Sequence, residues 1–338
     1  MKHTSLRLLL HACATLLALA GVDAASADTL ARAPGTDFRV VAWNVSRENF
    51  YLHADGFIKA LRVIDADLLI LDEMTATRTS AEVRHLLDQI DPANSRPWQI
   101  SYGSSGHDQR AVIAVRGELA ALPGFELLPY PADFVASMQR DLVHSDKLKY
   151  LASSIDAGIA AHAAVATVGG RQIAVVGVDL QCCGDTDDAW EERRRHVESA
   201  QIRARLLDAL DERPVDAIIA GGDFNALRGP RPLEILQGTA GEARALKVVE
   251  SRHRDGSDWT WDGRGTKFRS SHIDYVLHDR NLAPIQSVIF DPETMPVSEI
   301  NGLGLARGHL IELTAHRPVV VDFKWQNLAP AAVDHSRK

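Results

Sequence analysis

Residues 217–226 read AIIAGGDFNA, and this stretch decides how the rest of the chain is interpreted. An apolar run typical of a buried strand ends in two glycines, which let the backbone approach a neighbour or a ligand closely. Because side chains alternate along an extended chain, we expect Asp223 and Asn225 on one side and Phe224 on the other. An acid and an amide at a strand end suit a phosphate and a metal-activated water. The alternative is a strand that runs into an Asx turn.

Four further segments place a polar residue at or beside an apolar strand. They are VVAWNV (40–45), DLLILDEM (67–74), SHIDYVL (271–277) and TAHRPVVV (314–321). In this order, together with residues 217–226, they resemble the endonuclease/exonuclease/phosphatase superfamily over about residues 37–325. That superfamily contains pancreatic-type deoxyribonucleases, abasic-site endonucleases, bacterial sphingomyelinases and inositol polyphosphate 5-phosphatases. Each motif alone is weakly specific, and their shared order is what carries the resemblance.

The resemblance implies a metal-dependent site for phosphoester hydrolysis. Glu73 stands at the position of the family's main metal-ligating glutamate, and Asn44 matches an asparagine beside the metal. Mg2+ is the expected cofactor, with Mn2+ as a substitute, because such hard cations prefer oxygen ligands. A surface acid at a strand end and a turn amide are the alternative interpretations of these two residues.

The resemblance also implies a catalytic pair of His316 and Asp274. An imidazole titrates near pH ~6.5, so His316 is expected to act as a general base or to polarise the phosphate. Asp274 would orient it by accepting its other N–H. Asp223 would position or activate the water, and Asn225 would bind the phosphate. The chain has 14 histidines, so a solvated His316 is the alternative.

Three residues are assigned to the reacting phosphate or to the substrate. Tyr102 matches a family tyrosine near the scissile phosphate, and Trp261 matches an aromatic residue beside the site. His162 lies near the position of the family's phosphate-binding arginine, for which no clear counterpart exists. Packing in the rim or the core is the alternative for Tyr102 and Trp261.

Two positions depart from the family pattern. Many members have Ser-Asp-His where residues 314–316 read TAH, so Ala315 removes an acid that helps to hold the metal. Many also have a histidine where this chain has Asp179. Asp179 is therefore predicted to supply the carboxylate that Ala315 lacks. The change favours either a more metal-demanding enzyme or a catalytically weakened binding module.

Strands and helices are interspersed along the chain, which indicates an α/β layered domain. Strands are predicted at 38–43, 67–71, 98–102, 110–115, 159–168, 172–180, 215–220, 272–277, 284–290 and 318–323, and helices at 54–64, 80–90 and 188–210. The resemblance sharpens this to a four-layer α/β/β/α sandwich of two packed mixed sheets flanked by helices. No Pro/Gly/Ser-rich linker divides residues 37–325, so one domain is expected between a leader (28–36) and a flexible tail (326–338).

Residues 1–27 have the pattern of a secretory signal peptide. A basic start precedes an apolar core at 8–20 and a small-x-small cleavage signal at 25–27. We therefore expect an exported protein, periplasmic or extracellular, without a transmembrane anchor; an uncleaved anchor is disfavoured because the core is short. In an oxidising compartment the adjacent Cys182 and Cys183 would form a vicinal disulfide or remain thiols.

The charge balance limits the class of substrate. The chain carries 37 Lys and Arg against 45 Asp and Glu, a net charge of −8. Non-specific nucleic-acid binders usually present a basic surface, so an extended nucleic-acid interface is not expected. The basic run at 193–195 follows two glutamates and is predicted to be a solvated helix face. The expected partner is a phosphodiester substrate, with nucleic acid ahead of a phospholipid head group, and no stable protein partner is inferred.

Overall fold

The structure, a computed structural model, describes residues 29–93, 96–145, 147–184 and 186–326, and the side chains of 147–150 are not described. The predicted signal peptide lies outside the described residues, as does the predicted tail beyond Gln326. In the described part of the chain, no helix combines the length and the apolar character that a bilayer span requires.

Strands supply the two central layers of the fold. In chain order the described strands are β1 (Phe38–Asn44), β2 (Leu68–Thr75), β3 (Gln99–Tyr102), β4 (Gln109–Val115), β5 (Glu118–Ala121), β6 (Ala161–Val168), β7 (Arg171–Asp179), β8 (Ala217–Asp223), β9 (Lys247–Val248), β10 (Asp274–His278), β11 (Leu282–Ile289) and β12 (Val319–Trp325). The first sheet has the order β11-β12-β1-β2-β4-β3, and the second has the order β5-β6-β7-β8-β10-β9. The pairs β1–β2 and β7–β8 are parallel and the others are antiparallel, so both sheets are mixed.

Helices cover the outer faces of both sheets. They are α1 (Asn49–Leu52), α2 (Ala54–Ile64), α3 (Ser80–Leu87), α4 (Ala132–Asp141), α5 (Lys147–Asp156), α6 (Trp190–Glu212), α7 (Arg231–Gln237) and α8 (Val297–Leu303). Apolar side chains of α2, α3 and α8 pack with the first sheet, and those of α6 and α7 pack with the second. A third apolar cluster, which includes Ile70, Ile113 and Val175, fills the space between the sheets. The predicted four-layer sandwich of two mixed sheets is confirmed.

The hairpin predicted from Gly169-Gly170 is present. Val168 of β6 pairs with Arg171 of β7, and the two glycines between them have φ of 60° and 79°. Positive φ at both central residues is the requirement of the hairpin turn that matches the strand twist, and glycine meets it without steric cost.

The prediction of a solvated arginine run holds for Arg193, which is exposed, and was wrong for the two arginines that follow it. Arg194 is 6% exposed and Arg195 is fully buried within α6. The guanidinium of Arg194 donates to Glu198 at 2.8 Å and to the Tyr130 hydroxyl at 2.6 Å. Arg195 donates to Glu192 and to backbone carbonyls of the loop that follows β7. Spacing within a helix predicts the acid–base pairs but not whether a neighbouring segment covers them, and here one does.

The leader packs against the domain. Leu30 is 2% exposed, and its backbone N–H donates to the Val63 carbonyl at 2.7 Å. Arg32 forms an ion pair with Asp67 at 2.6 Å. The folded unit therefore extends upstream of residue 37 to at least Leu30.

Candidate active site

Polar residues from five strands meet at one end of the space between the sheets. In the first sheet Asn44 is the register partner of Asp72, and in the second Asp179 pairs with Asp223, which pairs with Asp274. Alternate residues of these strands, such as Ala42, Ile70 and Val175, belong to the inter-sheet core. Because side chains alternate along a strand, the five polar residues continue the inner faces of the two sheets.

A β-bulge places two consecutive acids of β2 at this end. The pairing of β2 with β4 shifts register between Leu71 and Met74, around Asp72 and Glu73. Glu73 has a φ of 51°, in the left-handed region that costs a non-glycine residue on the order of 1–3 kcal/mol. Bulges re-aim side chains next to active sites. As a result Asp72 is fully buried while Glu73 lines the adjoining cavity.

The Asp223-Phe224-Asn225 segment is both an Asx turn and part of the site. The Asn225 backbone N–H donates to Asp223 Oδ1 at 2.8 Å, which is the hydrogen bond of an Asx turn. The Asn225 side chain donates to the Leu180 carbonyl at 2.9 Å, and Asn44 Nδ2 donates to Asp223 Oδ2 at 3.3 Å. The two interpretations offered by the sequence are therefore compatible, because the turn holds Asp223 and Asn225 in place.

Gly222 lets β7 and β8 approach each other beside the site. Its φ is 128°, and a Cβ atom built on it would lie 2.1 Å from the Val178 carbonyl oxygen. No side chain fits at that distance. Glycine at this position is therefore needed for the strand contact that brings Asp179 next to Asp223.

His316 and Asp274 form a buried hydrogen-bonded pair. His316 Nδ1 lies 3.1 Å and 3.0 Å from the two carboxylate oxygens of Asp274. The backbone N–H of Asp274 donates to Thr260 Oγ1 at 2.9 Å, and Trp43 Nε1 donates to the His316 carbonyl at 3.3 Å. With Nδ1 facing Asp274, Nε2 is the ring nitrogen left for the cavity that His316 lines.

The environment of His316 favours its protonated form. Burial lowers the pKa of the imidazole, but the charge and hydrogen bond of Asp274, together with the charges of Asp223 and Glu73, outweigh it and raise the pKa to about 9. At neutral pH the ring is therefore an imidazolium. Of the two roles considered for His316, this favours polarising a phosphate over acting as a general base.

Arg317 anchors the loop that carries the histidine. Its buried guanidinium donates to Asp291 at 2.6 Å, to Asp262 at 3.2 Å and to the Thr314 carbonyl at 3.0 Å. In the same loop, Ala315 is exposed, and its backbone carbonyl accepts a hydrogen bond from the Asp262 N–H at 2.8 Å. The loop is thus fixed by ion pairs beneath it, while Ala315 lies at its solvent side.

Asp72 is a candidate site residue that sequence reasoning missed. It is fully buried, and neither carboxylate oxygen has a hydrogen-bond partner among the described residues. Burial, with the charges of Asp179, Asp274, Asp223 and Glu73, raises the pKa of Asp72 well above its ordinary value. The signal in the sequence was the DE pair at the end of β2. Strict strand alternation assigns only one of two neighbours to the site, and the bulge removes that restriction.

A cavity of about 400 Å³ opens on the site. Acids and the histidine line its floor, and aromatic, apolar and arginine side chains line its walls: Trp261, Phe268, Leu227, Arg228 and Arg269. Cys182 and Cys183 also line it, both exposed, with no disulfide between them and with their sulfur atoms 2.9 Å apart.

Tyr102 and His162 lie outside the lining of this cavity. The Tyr102 hydroxyl donates to the Thr75 carbonyl at 2.5 Å. His162 lies between the sheets, with Nε2 2.7 Å from Ser101 Oγ, and burial lowers its pKa to about 4. A neutral imidazole bonded to a serine is a poor substitute for a phosphate-binding arginine. The predicted roles of both residues stay predictions, and their positions do not favour them.

The oxygen donors in the cavity lining and buried directly behind it fit a hard divalent cation. Glu73, Asn44, Asp179 and Asp223 all offer oxygen atoms, and Asp179 is 8% exposed with its Oδ2 unpartnered among the described residues. Buried carboxylates without partners are costly unless a cation or a proton compensates them. Oxygen-only ligands are those that Mg2+ and Mn2+ prefer.

Comparisons with known proteins agree with this architecture. The family model described as Endonuclease/Exonuclease/phosphatase family matches residues 41–295. An endonuclease/exonuclease/phosphatase from Bacteroides vulgatus is similar in structure, with a TM-score of 0.52 at 12% identity over 86% of this chain and 99% of that one. No curated protein sequence is significantly similar.

Two eukaryotic structures show the same fold. Truncated TDP2 from Caenorhabditis elegans superimposes with a TM-score of 0.51 at 12% identity, over 85% of this chain and 97% of that one. The human Nocturnin catalytic domain gives a TM-score of 0.50 at 15% identity, over 88% and 97% of the two chains. With the family match covering most of the sequence, the chain belongs to the Endonuclease/Exonuclease/phosphatase family, whose members hydrolyse phosphoester bonds.

Proposed function

We propose that this protein is an exported, metal-dependent phosphodiesterase that acts on a nucleic-acid strand. The observation that carries the proposal is the meeting of the His316–Asp274 pair with Glu73, Asp223 and Asn225 at one cavity. An imidazolium, carboxylates and an amide at one point are the groups that phosphoester hydrolysis needs.

His316 supplies positive charge to the phosphate in this mechanism. Its Nε2–H donates to a non-bridging phosphate oxygen, on which negative charge builds as water attacks phosphorus. The P–O bond to the leaving oxygen breaks as the new P–O bond forms, and the proton that Asp223 takes from the water is passed through solvent to the leaving oxygen. The Asp274 carboxylate accepts a hydrogen bond from the Nδ1–H of His316, which orients the ring and stabilises the imidazolium while water attacks the phosphate. Since the pair is buried, this charge is little screened by solvent.

Asp223 is the group that takes a proton from the attacking water. Burial, with the charge of Asp274, raises the pKa of its carboxyl well above the ordinary value, so its ionised form is a stronger proton acceptor. The amide of Asn44 and the backbone of Asn225 fix its two oxygens. Asn225 then contacts the phosphate from the same turn.

Glu73, Asn44 and Asp179 are the residues that would hold the divalent cation. When bound, Mg2+ or Mn2+ supplies charge neutralisation on the phosphate and lowers the pKa of a water molecule. The bulge brings Glu73 to the cavity, and the β1–β2 and β7–β8 pairings hold Asn44 and Asp179 at the same end of the sheets, buried behind the cavity lining.

The cavity walls favour nucleic acid over a phospholipid head group. Trp261 and Phe268 lie with ring centroids 6.4 Å apart, and Phe268 is 56% exposed. Arg228 and Arg269 are exposed beside them. Aromatic faces that stack on bases, together with arginines that contact phosphates, are the common elements of single-strand recognition. The net charge of −8 limits this contact to a short segment.

A substrate screen with added metal tests the proposal. Single- and double-stranded DNA, RNA, sphingomyelin, inositol phosphates and an aryl phosphodiester are incubated with the protein in Mg2+ or Mn2+. We expect hydrolysis of the aryl phosphodiester and of single-stranded nucleic acid, and a loss of most activity in Glu73→Gln. Faster cleavage of sphingomyelin or an inositol phosphate would overturn the substrate class. No hydrolysis of any substrate would leave the binding-module alternative.

Export is tested separately from activity. N-terminal sequencing of the protein recovered from the periplasm or medium should give a chain that starts near Asp28. Recovery of a chain that retains Met1, in the cell pellet alone, would contradict export and leave the hydrolase proposal unaffected.

A further inference from the structure

Among the described residues, Asp72 has no hydrogen-bond partner that accounts for its burial. It is fully buried at the end of β2, and both of its carboxylate oxygens lack hydrogen bonds to the described residues. An unpaired buried carboxylate is among the most costly groups a fold can contain. Its persistence beside the catalytic residues indicates that something outside the chain compensates it.

Two further acids lie within reach of the same point. One carboxylate oxygen each from Asp72, Asp179 and Asp223 can be chosen so that all lie within 4.8 Å of one another. Ligands on opposite sides of a cation with metal–oxygen bonds of about 2.1–2.4 Å are about 4.2–4.8 Å apart. The three oxygens therefore have the spacing of ligands to one ion.

The described residues do not supply enough positive charge to neutralise this group of acids. Five carboxyls interact at this end of the sheets, those of Asp72, Glu73, Asp179, Asp223 and Asp274. Against them stand His316, bonded to Asp274, and Arg47, whose side chain is 53% exposed. With all five carboxyls ionised, the formal net charge of the group is negative even when His316 and Arg47 both carry a positive charge.

We propose that Asp72, Asp179 and Asp223 form a second divalent-cation site, buried between the sheets and distinct from the position at Glu73. Asp72 contributes two free oxygens and Asp179 one. Asp223 is shared with the catalytic residues, and Asp179 is shared with the cation position at Glu73. Glu73, which lines the cavity, is not required for it. The site explains how a chain with Ala315 in place of the family's acid keeps a cation next to Asp223.

The proposal concerns the metal of the proposed function, and its test measures binding. Mn2+ is titrated into the full chain and followed by electron paramagnetic resonance, with unfolding temperature as a second reading. The variants are Asp72→Asn, Asp179→Asn and Glu73→Gln. Asp108→Asn is the matched control, because that side chain is 68% exposed.

We expect Asp72→Asn to weaken one Mn2+ site at least tenfold and Asp179→Asn to weaken both that site and the one at Glu73. Both variants should reduce the rise in unfolding temperature. Glu73→Gln should retain that site, and Asp108→Asn should match the wild type. Unchanged binding in Asp72→Asn and Asp179→Asn would overturn the proposal, as would loss of all binding in Glu73→Gln. So would the absence of any tight Mn2+ binding by the wild type, which would mean that protons compensate the acids. Hydrolysis measured on the same samples shows separately whether the proposed function holds.

Discussion

Buried charges lie at both ends of the strand β1, and they are compensated differently. Arg39 lies near its start, and Asp72 of the neighbouring β2 lies beside its end. At the start Arg39 is fully buried, and its guanidinium makes five hydrogen bonds, two to Asp322 and three to backbone carbonyls. At the other end Asp72, the register partner of Asn44 on β2, is equally buried, and its oxygens have no partner among the described residues.

This difference separates a structural charge from a functional one. Arg39 has five N–H groups and each finds an acceptor, so nothing further is needed to explain its burial. In the group of acids around Asp72, three carboxylate oxygens, two of Asp72 and one of Asp179, have no hydrogen-bond partner among the described residues. Natural folds satisfy nearly all buried polar atoms, so unsatisfied ones gathered beside a His–Asp pair indicate a place for a ligand.

The largest effect on the free energy of unfolding is expected at Arg39, whose hydrogen bonds are all made within the protein. Arg39→Met leaves Asp322 buried and unpaired, which should lower the free energy of unfolding by about 3–5 kcal/mol. Urea denaturation measures it. Arg280→Met, at an exposed arginine, should change stability by less than about 0.5 kcal/mol. Equal losses in the two variants would show that the Arg39 network is not what stabilises that end.

His162 is intermediate between Arg39, whose polar atoms all have partners, and Asp72, whose carboxylate oxygens have none. Its Nε2 is hydrogen-bonded to Ser101, while its Nδ1 has no partner among the described residues. Burial lowers its pKa from 6.5 to about 4. The unfolded chain therefore takes up this proton first, and stability is lost as the pH falls from about 6.5 towards 4. His162→Gln should remove about 2 kcal/mol of the difference in stability between pH 7.5 and pH 5. Parallel pH profiles of the two proteins would contradict this.

A smaller effect of opposite sign is expected at Asp72 when divalent cations are removed by a chelator. Its pKa is raised in the folded state, so the folded protein holds a proton that the unfolded chain releases. Stability should then fall as the pH rises from about 4 through the folded pKa. Asp72→Asn should be more stable than the wild type at pH 8, by on the order of 1 kcal/mol, and the difference should shrink at pH 5. A variant less stable at both pH values would argue that Asp72 has a partner.

The smallest effect is expected at the solvent side of the site. Ala315→Asp adds an exposed carboxylate, and exposed charge pairs contribute about 0.2–1 kcal/mol. We expect Mn2+ binding to tighten by less than about fivefold, with Ala315→Asn unchanged. A much larger gain would place the principal cation at the rim, beside His316, rather than between the sheets.

Apolar runs and polar strand ends are local signals, so they predict an α/β layered domain and most of its strands along the chain. The resemblance to the family, and not these patterns, implied the four-layer sandwich. The hairpin at Gly169-Gly170 and most long elements follow from the local signals. The helices α1, α4, α5, α7 and α8 and the strands β5 and β9 were not predicted. They are short elements of the periphery, and α4 and α5 pack mainly on a small satellite cluster around Met138.

The site is predictable up to the point where backbone irregularity begins. Motif order indicates Glu73, Asp223 and His316, since each lies at a strand end. It does not indicate Asp72, because only the bulge allows consecutive acids to serve one site. It also assigns His162 and Tyr102 to the substrate, whereas sheet register places their hydrogen bonds with Ser101 and Thr75. Local sequence patterns predict where along a strand a residue lies. They do not predict how deeply its side chain is buried between the two sheets.

The most direct test of the central claim compares hydrolysis of an aryl phosphodiester by the wild type, His316→Gln and His85→Gln in saturating Mn2+. His85 is an exposed histidine of α3 and serves as the matched control. The account predicts that His316→Gln lowers kcat by about 10²–10⁴-fold at a temperature at which circular dichroism shows the variant to be folded, while His85→Gln retains wild-type activity and the wild-type unfolding temperature. Equal activity in all three proteins would contradict the assignment of this end of the sandwich as the active site.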